Sequence, residues 1–197
     1  MMTGVTGVVL AGGQGRRMGG VDKGLVALDG KSMVAHVLAR FAPQVDEVLI
    51  NANQHTTEYA AFGHRVIADA IGGFVGPLAG LHTGLLAAVR TDQVVVAGGD
   101  MPELQPSVLR LLLDTLDDAS VDAAALADGS RPRPLPIALR TWPAADAVHT
   151  LLHAGRRRLR DALDSLRTAV IDEPTWTALD PGRLTLRDVD EPGDLAG

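Results

Sequence analysis

The chain has 197 residues, of which 46% are hydrophobic and 21% charged, and it contains 22 glycines, 11 prolines and no cysteine. This composition predicts one compact domain spanning residues 1–197, and it excludes a disordered chain, a collagen-like fibre and a disulfide scaffold. The lack of cysteine excludes thiol catalysis, iron–sulfur clusters and cysteine-type zinc sites. The net charge of −6 argues against general affinity for nucleic acid or an acidic membrane.

The first 13 residues carry no basic leader and only a short apolar run before the glycines begin. We therefore expect neither a signal peptide nor a membrane span. Nothing in the sequence suggests export to an oxidising compartment, so we expect a cytoplasmic location.

Short valine-rich runs alternate with segments of helical period, which is typical of a parallel sheet covered by helices on both faces. We therefore predict an α/β fold with a mostly parallel, doubly covered sheet. The predicted strands are Thr6–Leu10, Val48–Asn51, Arg65–Ile67, Gln93–Ala97, Ala123–Leu126, Ile137–Leu139 and Ala169–Ile171. The predicted helices are Ser32–Phe41, Pro77–Arg90, Ser107–Leu116, Ala144–Ala154 and Arg158–Leu166.

The segment 129–136 reads Gly-Ser-Arg-Pro-Arg-Pro-Leu-Pro. Proline cannot donate a backbone hydrogen bond, so such a density of prolines disfavours a central strand. The sequence therefore predicts a loop or lid before the strand at Ile137.

A glycine-rich loop with basic residues behind it follows the first predicted strand, in the segment 8–23. The dinucleotide pattern G-x-G-x-x-G fails because Met18 stands at its last glycine, and no Gly-Lys-Ser/Thr ending makes a Walker loop. The free N–H groups of such a loop can hold phosphate oxygens, and Arg16, Arg17 and Lys23 suit a triphosphate. The alternative is an ordinary strand-to-helix turn with solvated arginines.

The signature that this loop forms resembles that of nucleotidyltransferases with a Rossmann-like fold and, among them, the molybdenum cofactor guanylyltransferases of the MobA type. The matching residues are Leu10-Ala-Gly-Gly-x-x-x-Arg17-Met-Gly-x-x-Asp22-Lys23, Asn51-Ala-Asn53, Asp69, Gly76-Pro-Leu-Ala-Gly80 and Gly99-Asp-Met-Pro102. They occur in the family's order and cover residues 7–102 closely. The rest of the chain is similar more loosely, through 134–139, 155–158 and 188–195.

The resemblance implies a three-layer sandwich like that of the nucleotide-diphospho-sugar transferases. The GTP-binding half would lie at about 1–105 and the acceptor-binding half at about 106–197. It also implies transfer of GMP from GTP to the phosphate of molybdopterin, with release of pyrophosphate. The implied catalytic residues are Arg17, Lys23 and Asp100. The implied GTP-binding residues are Leu10, Ala11, Gly12, Gly13, Lys23, Asn51, Asp69, Gly80 and Asp100.

Asp100 follows a predicted strand and two glycines, at the end of the sheet where α/β folds bind ligands. Mg²⁺ prefers one or two carboxylates together with phosphate oxygens and water, so one exposed aspartate facing a glycine loop suits it. The resemblance implies the same role for Asp100. Asp190, which lies where the chain departs from the pattern of many relatives, is a candidate second and weaker ligand. The alternative is an aspartate that caps the turn before Pro102.

Asp69 and Asn51 are the candidate readers of the base. A carboxylate at Asp69 could accept hydrogen bonds from the N–H edge of guanine, whereas Asn51 offers both a donor and an acceptor and cannot decide the base alone. The resemblance implies that both bind GTP. The alternative is that they end strands or cap turns.

The window 131–160 contains seven arginines and one acidic residue, a net charge of +6, which suits an anionic acceptor carrying a phosphate. The acceptor that the resemblance implies is molybdopterin, with or without its metal. The candidate acceptor-binding residues are Arg156, Arg157, Arg158, Asp188 and Asp190. The arginines could instead form a solvated helix face or dock a protein that inserts molybdenum or delivers the cofactor. Asp188-Val-Asp190 departs from the Asn-x-Asn of many relatives and adds negative charge.

Two alternative functions remain open from the sequence. One is a related nucleotidyltransferase, either a cytidylyltransferase for molybdopterin or a sugar-1-phosphate nucleotidyltransferase. The other is a nucleotide-binding partner without catalysis, although Arg17, Lys23 and Asp100 together argue against it. The resemblance also implies a monomer.

Overall fold

The computed structural model describes residues 4–11, 22–69, 76–118 and 120–189. Its strands are β1 (Val5–Leu10), β2 (Ala27–Leu28), β3 (Lys31–Ser32), β4 (Glu47–Asn51), β5 (Arg65–Ile67), β6 (Gln93–Gly98), β7 (Ala123–Asp128), β8 (Arg131–Arg140) and β9 (Thr168–Ile171). Its α-helices are α1 (Met33–Phe41), α2 (Thr56–Ala60), α3 (Pro77–Ala87), α4 (Pro106–Thr115), α5 (Thr141–His153), α6 (Leu159–Ser165) and α7 (Glu173–Thr177). Short 3₁₀ turns cover Lys23–Leu25, Ala42–Gln44 and Leu184–Leu186.

A seven-stranded sheet runs through the molecule in the order β5-β4-β1-β6-β8-β7-β9, and β2 and β3 form a separate hairpin. The pairs β4–β5, β1–β4, β1–β6 and β7–β9 are parallel. β8 is antiparallel to both β6 and β7. The prediction of a mostly parallel α/β sheet is therefore confirmed.

Successive strand residues point into two hydrophobic cores, one on each face of the sheet. Val9 of β1 belongs to the core under α1 and α4, and Val8 belongs to the core under α3, α5 and α6. Both valines are fully buried. Helices therefore cover both faces, as predicted, and the sheet is the middle of three layers.

The proline-rich segment 129–136 does not form the predicted loop or lid. Its first two residues make a turn, and β8 begins at Arg131 and pairs with β7 across a bulge at 125–127. The ladder between β8 and β6 covers Ile137–Arg140. The prolines precede that ladder, where β8 pairs with β7, so their missing N–H groups leave the β6–β8 hydrogen bonds intact.

Two further features were missed or misplaced by the sequence patterns. The Gly129-Ser130 turn between Asp128 and Arg131 is the spacing of a two-residue hairpin, which the prolines obscured. The short elements β2, β3, α2 and α7 are not among the predictions. The predicted ends Phe41 and Pro77 coincide with the observed ones, and the other helix ends differ by one to three residues.

Three histidines meet where α3 packs against α5. The ring centroids of His82 and His149 are 5.5 Å apart, and those of His149 and His153 are 4.4 Å apart. His82 is only 6% exposed, and its Nδ1 is buried without a hydrogen-bond partner among the described residues. Burial and the two neighbouring histidines lower the pKa of His82 below its ordinary value.

We expect the protein to lose stability as the pH falls through about 6.5, where an unfolded histidine gains its proton. His82 has a lowered pKa in the folded state, so the unfolded chain binds the proton first and folding stability falls until the folded pKa is reached. Melting temperatures measured at about pH 7.5 and pH 5.5 should differ more for the wild type than for His82→Gln. His64→Gln, at a half-buried loop histidine, serves as the control, and equal pH dependence in all three proteins would contradict the assignment.

Among the described residues, no helix has the length and apolar character that crossing a membrane requires.

Candidate functional site

The carboxyl ends of β5, β4, β1 and β6 lie side by side at one end of the sheet. Chain order reverses at β1, because β4 and β5 lie on one side of it and β6 on the other, and open α/β sheets bind ligands at such a point. Two backbone hydrogen bonds join the strand ends there: Ala11 N donates to Asn51 O at 2.8 Å, and Gly99 N donates to Leu10 O at 2.9 Å. The structure therefore brings together Leu10, Ala11 and Asn51, for which the resemblance implies GTP binding.

Asn51, Asn53 and Asp69 form an amide–carboxylate cluster at the ends of β4 and β5. Asn51 Nδ2 donates to Asp69 Oδ1 at 2.9 Å, and Asn53 Nδ2 donates to Asp69 Oδ2 at 2.8 Å. The backbone N–H of Asp69 donates in turn to Asn53 Oδ1 at 2.7 Å. An ionised carboxylate has about four acceptor positions, so Asp69 keeps capacity for further N–H donors. Asn53 is not among the predicted site residues, although the Asn-x-Asn spacing could have indicated it.

Helix α3 passes very close to Asn51, and Gly80 makes this approach possible. A Cβ atom added at Gly80 would lie 2.3 Å from Asn51 Oδ1 and 3.3 Å from Leu10 Cδ2. A side chain at this position would therefore push Asn51 out of its place in the cluster. This contact places Gly80 beside the predicted base-binding residues.

The variant Gly80→Ala is expected to weaken nucleotide binding about tenfold, because Asn51 must leave its hydrogen bond to Asp69. Gly84→Ala, one turn further along α3, is the matched control, because the atoms nearest to its Cβ would be those of Val8, at 2.8 Å, and not those of Asn51. Both variants should lose stability by steric overlap. Calorimetric titration with GTP should separate them, and equal nucleotide affinity in the two variants would contradict the role of Asn51.

Lys23 lies in the 3₁₀ turn Lys23–Leu25, which Asp22 caps. The Asp22 carboxylate is 8% exposed, and its Oδ1 accepts from Gly24 N at 3.1 Å and from the hydroxyl of Tyr59 at 2.6 Å. Tyr59 is fully buried on α2. Burial raises the pKa of Tyr59, and the hydrogen bond to Asp22 and the negative charges of Asp22 and Asp100 raise it further. The hydroxyl therefore stays protonated and acts as the donor.

Asp100 lies in the turn after β6, with its side chain half-buried. A Cβ added at Gly98 would lie 2.5 Å from Asp100 Oδ1, so glycine there leaves room for the carboxylate. Gly99, directly before Asp100, donates its backbone N–H to Leu10 O at 2.9 Å, so Asp100 lies beside the end of β1. Asp100 therefore lies at the strand ends that carry Leu10 and Asn51.

The last described residues of the chain lie beside Asp100. Val189 N donates to Asp100 O at 3.1 Å. Asp188 pairs with Arg133 of β8, whose guanidinium NH2 lies 3.0 Å from Asp188 Oδ2 and 3.2 Å from Leu186 O. The predicted acceptor residue Asp188 therefore holds the C-terminal segment against β8, and Arg133 is a site neighbour that the sequence did not single out.

The three consecutive arginines form the turn into α6, as predicted, and their side chains are exposed. The carbonyl of Arg157 accepts from Leu78 N at 3.4 Å, at the beginning of α3. Arg156 also lies 3.6 Å from Asp161. The arginine turn therefore borders the start of α3, the helix that contacts Asn51.

Several predicted site residues lie outside the described part of the chain. They are Gly12, Gly13, Arg16, Arg17 and Asp190.

The donor chemistry at Asp100 fits a Mg²⁺ ion that a bound triphosphate helps to hold. In residues 4–11, 22–69, 76–118 and 120–189, no group of three or more His, Cys, Asp or Glu side chains could hold a metal by itself. Mg²⁺ at phosphate-transfer sites takes one or two carboxylates and completes its shell with phosphate oxygens and water. The half-buried carboxylate of Asp100 meets that requirement.

A family model described as a MobA-like NTP transferase domain matches residues 7–170. The chain belongs to the MobA-like NTP transferase family. The matched region contains the strand ends, the amide–carboxylate cluster, Lys23, Asp100 and the arginine turn. Only the C-terminal segment with Asp188 lies beyond it.

Similar proteins cover most of this MobA-like chain. The molybdenum cofactor guanylyltransferase of Shewanella putrefaciens (strain CN-32 / ATCC BAA-453) is 38% identical over 155 residues, which are 79% of this chain and 78% of that protein. The protein of the same name from Shewanella sp. (strain ANA-3) is 40% identical over 155 residues, with the same two shares.

Solved structures agree with the fold. Molybdopterin-guanine dinucleotide biosynthesis protein A from Archaeoglobus fulgidus superposes with a TM-score of 0.81 and 27% identity, covering 97% of this chain and 95% of that one. The 4-diphosphocytidyl-2C-methyl-D-erythritol synthase from Anaerococcus prevotii DSM 20548 has a TM-score of 0.76 at 10% identity, covering 98% and 93%. The second likeness shows the three-layer nucleotidyltransferase fold alone.

Proposed function

We propose that this MobA-like chain is a molybdenum cofactor guanylyltransferase, which transfers GMP from GTP to the phosphate of molybdopterin. The observation that carries the proposal is the Asn51–Asn53–Asp69 cluster at the ends of β4 and β5, on the edge of the sheet where β6 leads into Asp100. The candidate base reader and the candidate metal carboxylate thus lie at the same edge of the sheet. The relatives named molybdenum cofactor guanylyltransferase support this substrate pair.

In the proposed reaction an acceptor phosphate oxygen forms a bond to the α-phosphorus of GTP, while the bond from that phosphorus to the bridging oxygen breaks. Pyrophosphate leaves with the bonding electrons. Such a transfer needs positioning and charge neutralisation rather than a protein nucleophile. Lys23 and Arg17 neutralise the leaving pyrophosphate, and the backbone at Leu10–Gly13 holds the nucleotide near its phosphates.

Mg²⁺, when bound, neutralises phosphate oxygens and orients the triphosphate. Asp100 is the carboxylate that would hold it, and Asp190 is the candidate second ligand. Asp100 also needs no proton of its own in the reaction, because the attacking group is already an anionic phosphate. Its contribution is therefore electrostatic.

Asp69 reads the base in this proposal. Guanine presents a ring N–H and an exocyclic amino group side by side, and a carboxylate accepts from both. Adenine and cytosine lack that pair of adjacent donors. Asn51 and Asn53 hold both Asp69 oxygens in place through their amide groups, so the cluster is oriented before the nucleotide arrives.

Residues of about 106–197 form the acceptor half in this proposal. Molybdopterin carries a phosphate, and the exposed arginines at 156–158 supply positive charge next to the start of α3. Asp188 acts there indirectly, through its ion pair with Arg133. The same arginines could also dock an anionic protein surface, such as that of a protein that inserts molybdenum or receives the cofactor.

The proposal is tested by titrating the protein with GTP, CTP, ATP and UTP in the presence of Mg²⁺, followed by a transfer assay with molybdopterin. We expect a clear preference for GTP, and an Asp69→Ala variant that loses most of that preference. Asp117→Ala, at an exposed aspartate after α4, is the control and should bind as the wild type does.

Each other outcome has a distinct meaning. A preference for CTP would move the chain to a cytidylyltransferase reaction. GTP binding without transfer to molybdopterin would favour a non-catalytic nucleotide-binding protein. Unchanged base preference in Asp69→Ala would contradict the role of the amide–carboxylate cluster.

A further inference from the structure

Asp22 belongs to the glycine-rich signature between Leu10 and Lys23, yet the proposed reaction assigns no role to it. It is 8% exposed, although it precedes the half-buried Lys23 directly. A buried carboxylate costs free energy unless hydrogen bonds replace its lost water. The contacts that Asp22 makes should therefore show why the chain keeps it there.

Two donors converge on one oxygen of Asp22. The hydroxyl of Tyr59 donates at 2.6 Å, the short distance typical of a hydrogen bond to a charged acceptor, and Gly24 N donates at 3.1 Å. Tyr59 comes from α2, in the connection between β4 and β5. The hydrogen bond thus joins the turn of Lys23 to a separate, fully buried part of the core.

Gly24 lets the turn come this close to Tyr59. A Cβ added at Gly24 would lie 2.5 Å from the Tyr59 hydroxyl oxygen. The turn is also closed by backbone hydrogen bonds from Leu25 N to Asp22 O and from Val26 N to Lys23 O, both at 3.1 Å. Backbone hydrogen bonds therefore close the turn around Lys23, and the Asp22 side chain adds a contact to Gly24 N and ties the turn to Tyr59.

We propose that Tyr59, acting through Asp22, is a positioning residue that sets where the Lys23 ammonium group meets the triphosphate. This inference rests on the proposed function, because it assigns Lys23 to the nucleotide. Neither Tyr59 nor Asp22 needs to touch the substrate. The buried side chain of Tyr59 keeps Asp22 oriented, and Asp22 keeps the turn closed.

The main competing role for Asp22 is direct binding of Mg²⁺ beside Asp100. The two roles predict opposite results for a conservative substitution. Asn in place of Asp22 keeps an oxygen that can accept from both Tyr59 and Gly24, but it loses the charge that a metal ligand needs. A positioning role therefore predicts that Asp22→Asn retains transfer within about threefold, whereas Asp22→Ala loses it.

The central variant is Tyr59→Phe, which removes the hydroxyl and keeps the buried ring. We expect kcat for guanylyl transfer to fall about tenfold with KM for GTP changed about twofold or less, because charge on the leaving pyrophosphate develops in the transition state. In a Lys23→Ala background, Tyr59→Phe should change kcat by less than about twofold, because the residue through which it acts is gone.

Thr6→Val is the matched stability control. Thr6 is fully buried at the opposite end of β1, and its hydroxyl lies 2.8 Å from that of Thr91. The substitution thus removes one buried hydroxyl of similar kind away from the strand ends that form the site. If it lowers the melting temperature as much as Tyr59→Phe does, kcat should still stay at the wild-type value.

The chemical reactivity of Lys23 can be measured without turnover. Lys23 and Lys31 are its only lysines, and Lys31 is exposed. Trace acetylation followed by mass spectrometry gives the reactivity of Lys23 relative to Lys31 with and without Mg²⁺ and GTP. GTP should protect Lys23 in the wild type and in Thr6→Val, and protect it at least about threefold less in Tyr59→Phe.

The outcomes separate the two proposals. An inactive wild type without protection of Lys23 would overturn the proposed function and this inference with it. An active wild type with Tyr59→Phe unchanged in kcat and in protection would overturn the inference alone. Equal losses in Asp22→Asn and Asp22→Ala would also overturn it, in favour of Asp22 as a metal ligand.

Discussion

Alanine in place of Asp100 is expected to lower the rate of Mg²⁺-dependent guanylyl transfer about a thousandfold. This change corresponds to a loss of about 4 kcal/mol of transition-state stabilisation. The Asp22 carboxylate should not take over the role of Asp100 with Mg²⁺, because its Oδ1 already accepts hydrogen bonds from Tyr59 and Gly24. The fold should survive, because the Asp100 side chain is half-exposed and its link to Val189 uses the backbone carbonyl. Pyrophosphate release and the melting temperature measure the two effects.

Asp117→Ala is the matched control, since it removes an exposed aspartate after α4. It should keep both activity and melting temperature. Raising the Mg²⁺ concentration should restore part of the activity of Asp100→Ala if phosphate oxygens and water supply most of the ligands. An Asp100→Ala variant with wild-type turnover would show that the metal binds elsewhere.

The strand ends of the GTP half could be predicted from sequence because alternating strands and helices leave few arrangements. Parallel strands joined by helices place their carboxyl ends together, so Asn51, Asp69 and Asp100, which each follow or end a predicted strand, fall at one edge of the sheet although they are far apart in the chain. In the structure Asn51 donates to Asp69, and helix α3 approaches Asn51 at Gly80. Their roles with GTP stay predictions.

The contacts that close the site could not be predicted in this way. Tyr59 reaches Asp22 across 37 positions of the sequence, and Arg133 reaches Asp188 across 55. Neither pair follows from the period of a strand or helix, because each depends on how separate elements pack. A lone buried tyrosine reads simply as a core residue until its hydroxyl is seen to have a charged partner.

The prediction of a loop in the proline-rich part of β8 was wrong for a related reason. Local propensity counts every proline against a strand, yet the cost depends on whether a neighbour needs the missing N–H. In the structure the prolines precede the ladder between β8 and β6, and only the tertiary arrangement reveals that. Sequence patterns alone therefore placed Arg133 in a loop and missed its contact with the C-terminal segment.

Removal of the Lys23 side chain, in Lys23→Ala, is expected to lower kcat/KM for GTP by about two to three orders of magnitude, because a cation facing the leaving pyrophosphate is lost. Lys23→Arg should recover part of this loss, since it keeps the charge but changes the shape and reach of the donor. Lys31→Ala, at the exposed second lysine, should behave as the wild type. Steady-state kinetics with varied GTP measure all three variants.

Comparison of the three variants tests whether the position of the Lys23 side chain matters in addition to its charge. If charge alone matters, Lys23→Arg will approach wild-type turnover, whatever the state of the turn. If the position set by Asp22 and Tyr59 also matters, Lys23→Arg will stay well below it, because the turn fixes a backbone suited to the compact ammonium group of lysine, whereas the arginine guanidinium is planar and reaches further. Lys23→Ala with unchanged GTP affinity and unchanged turnover would contradict both accounts and would remove Lys23 from the site.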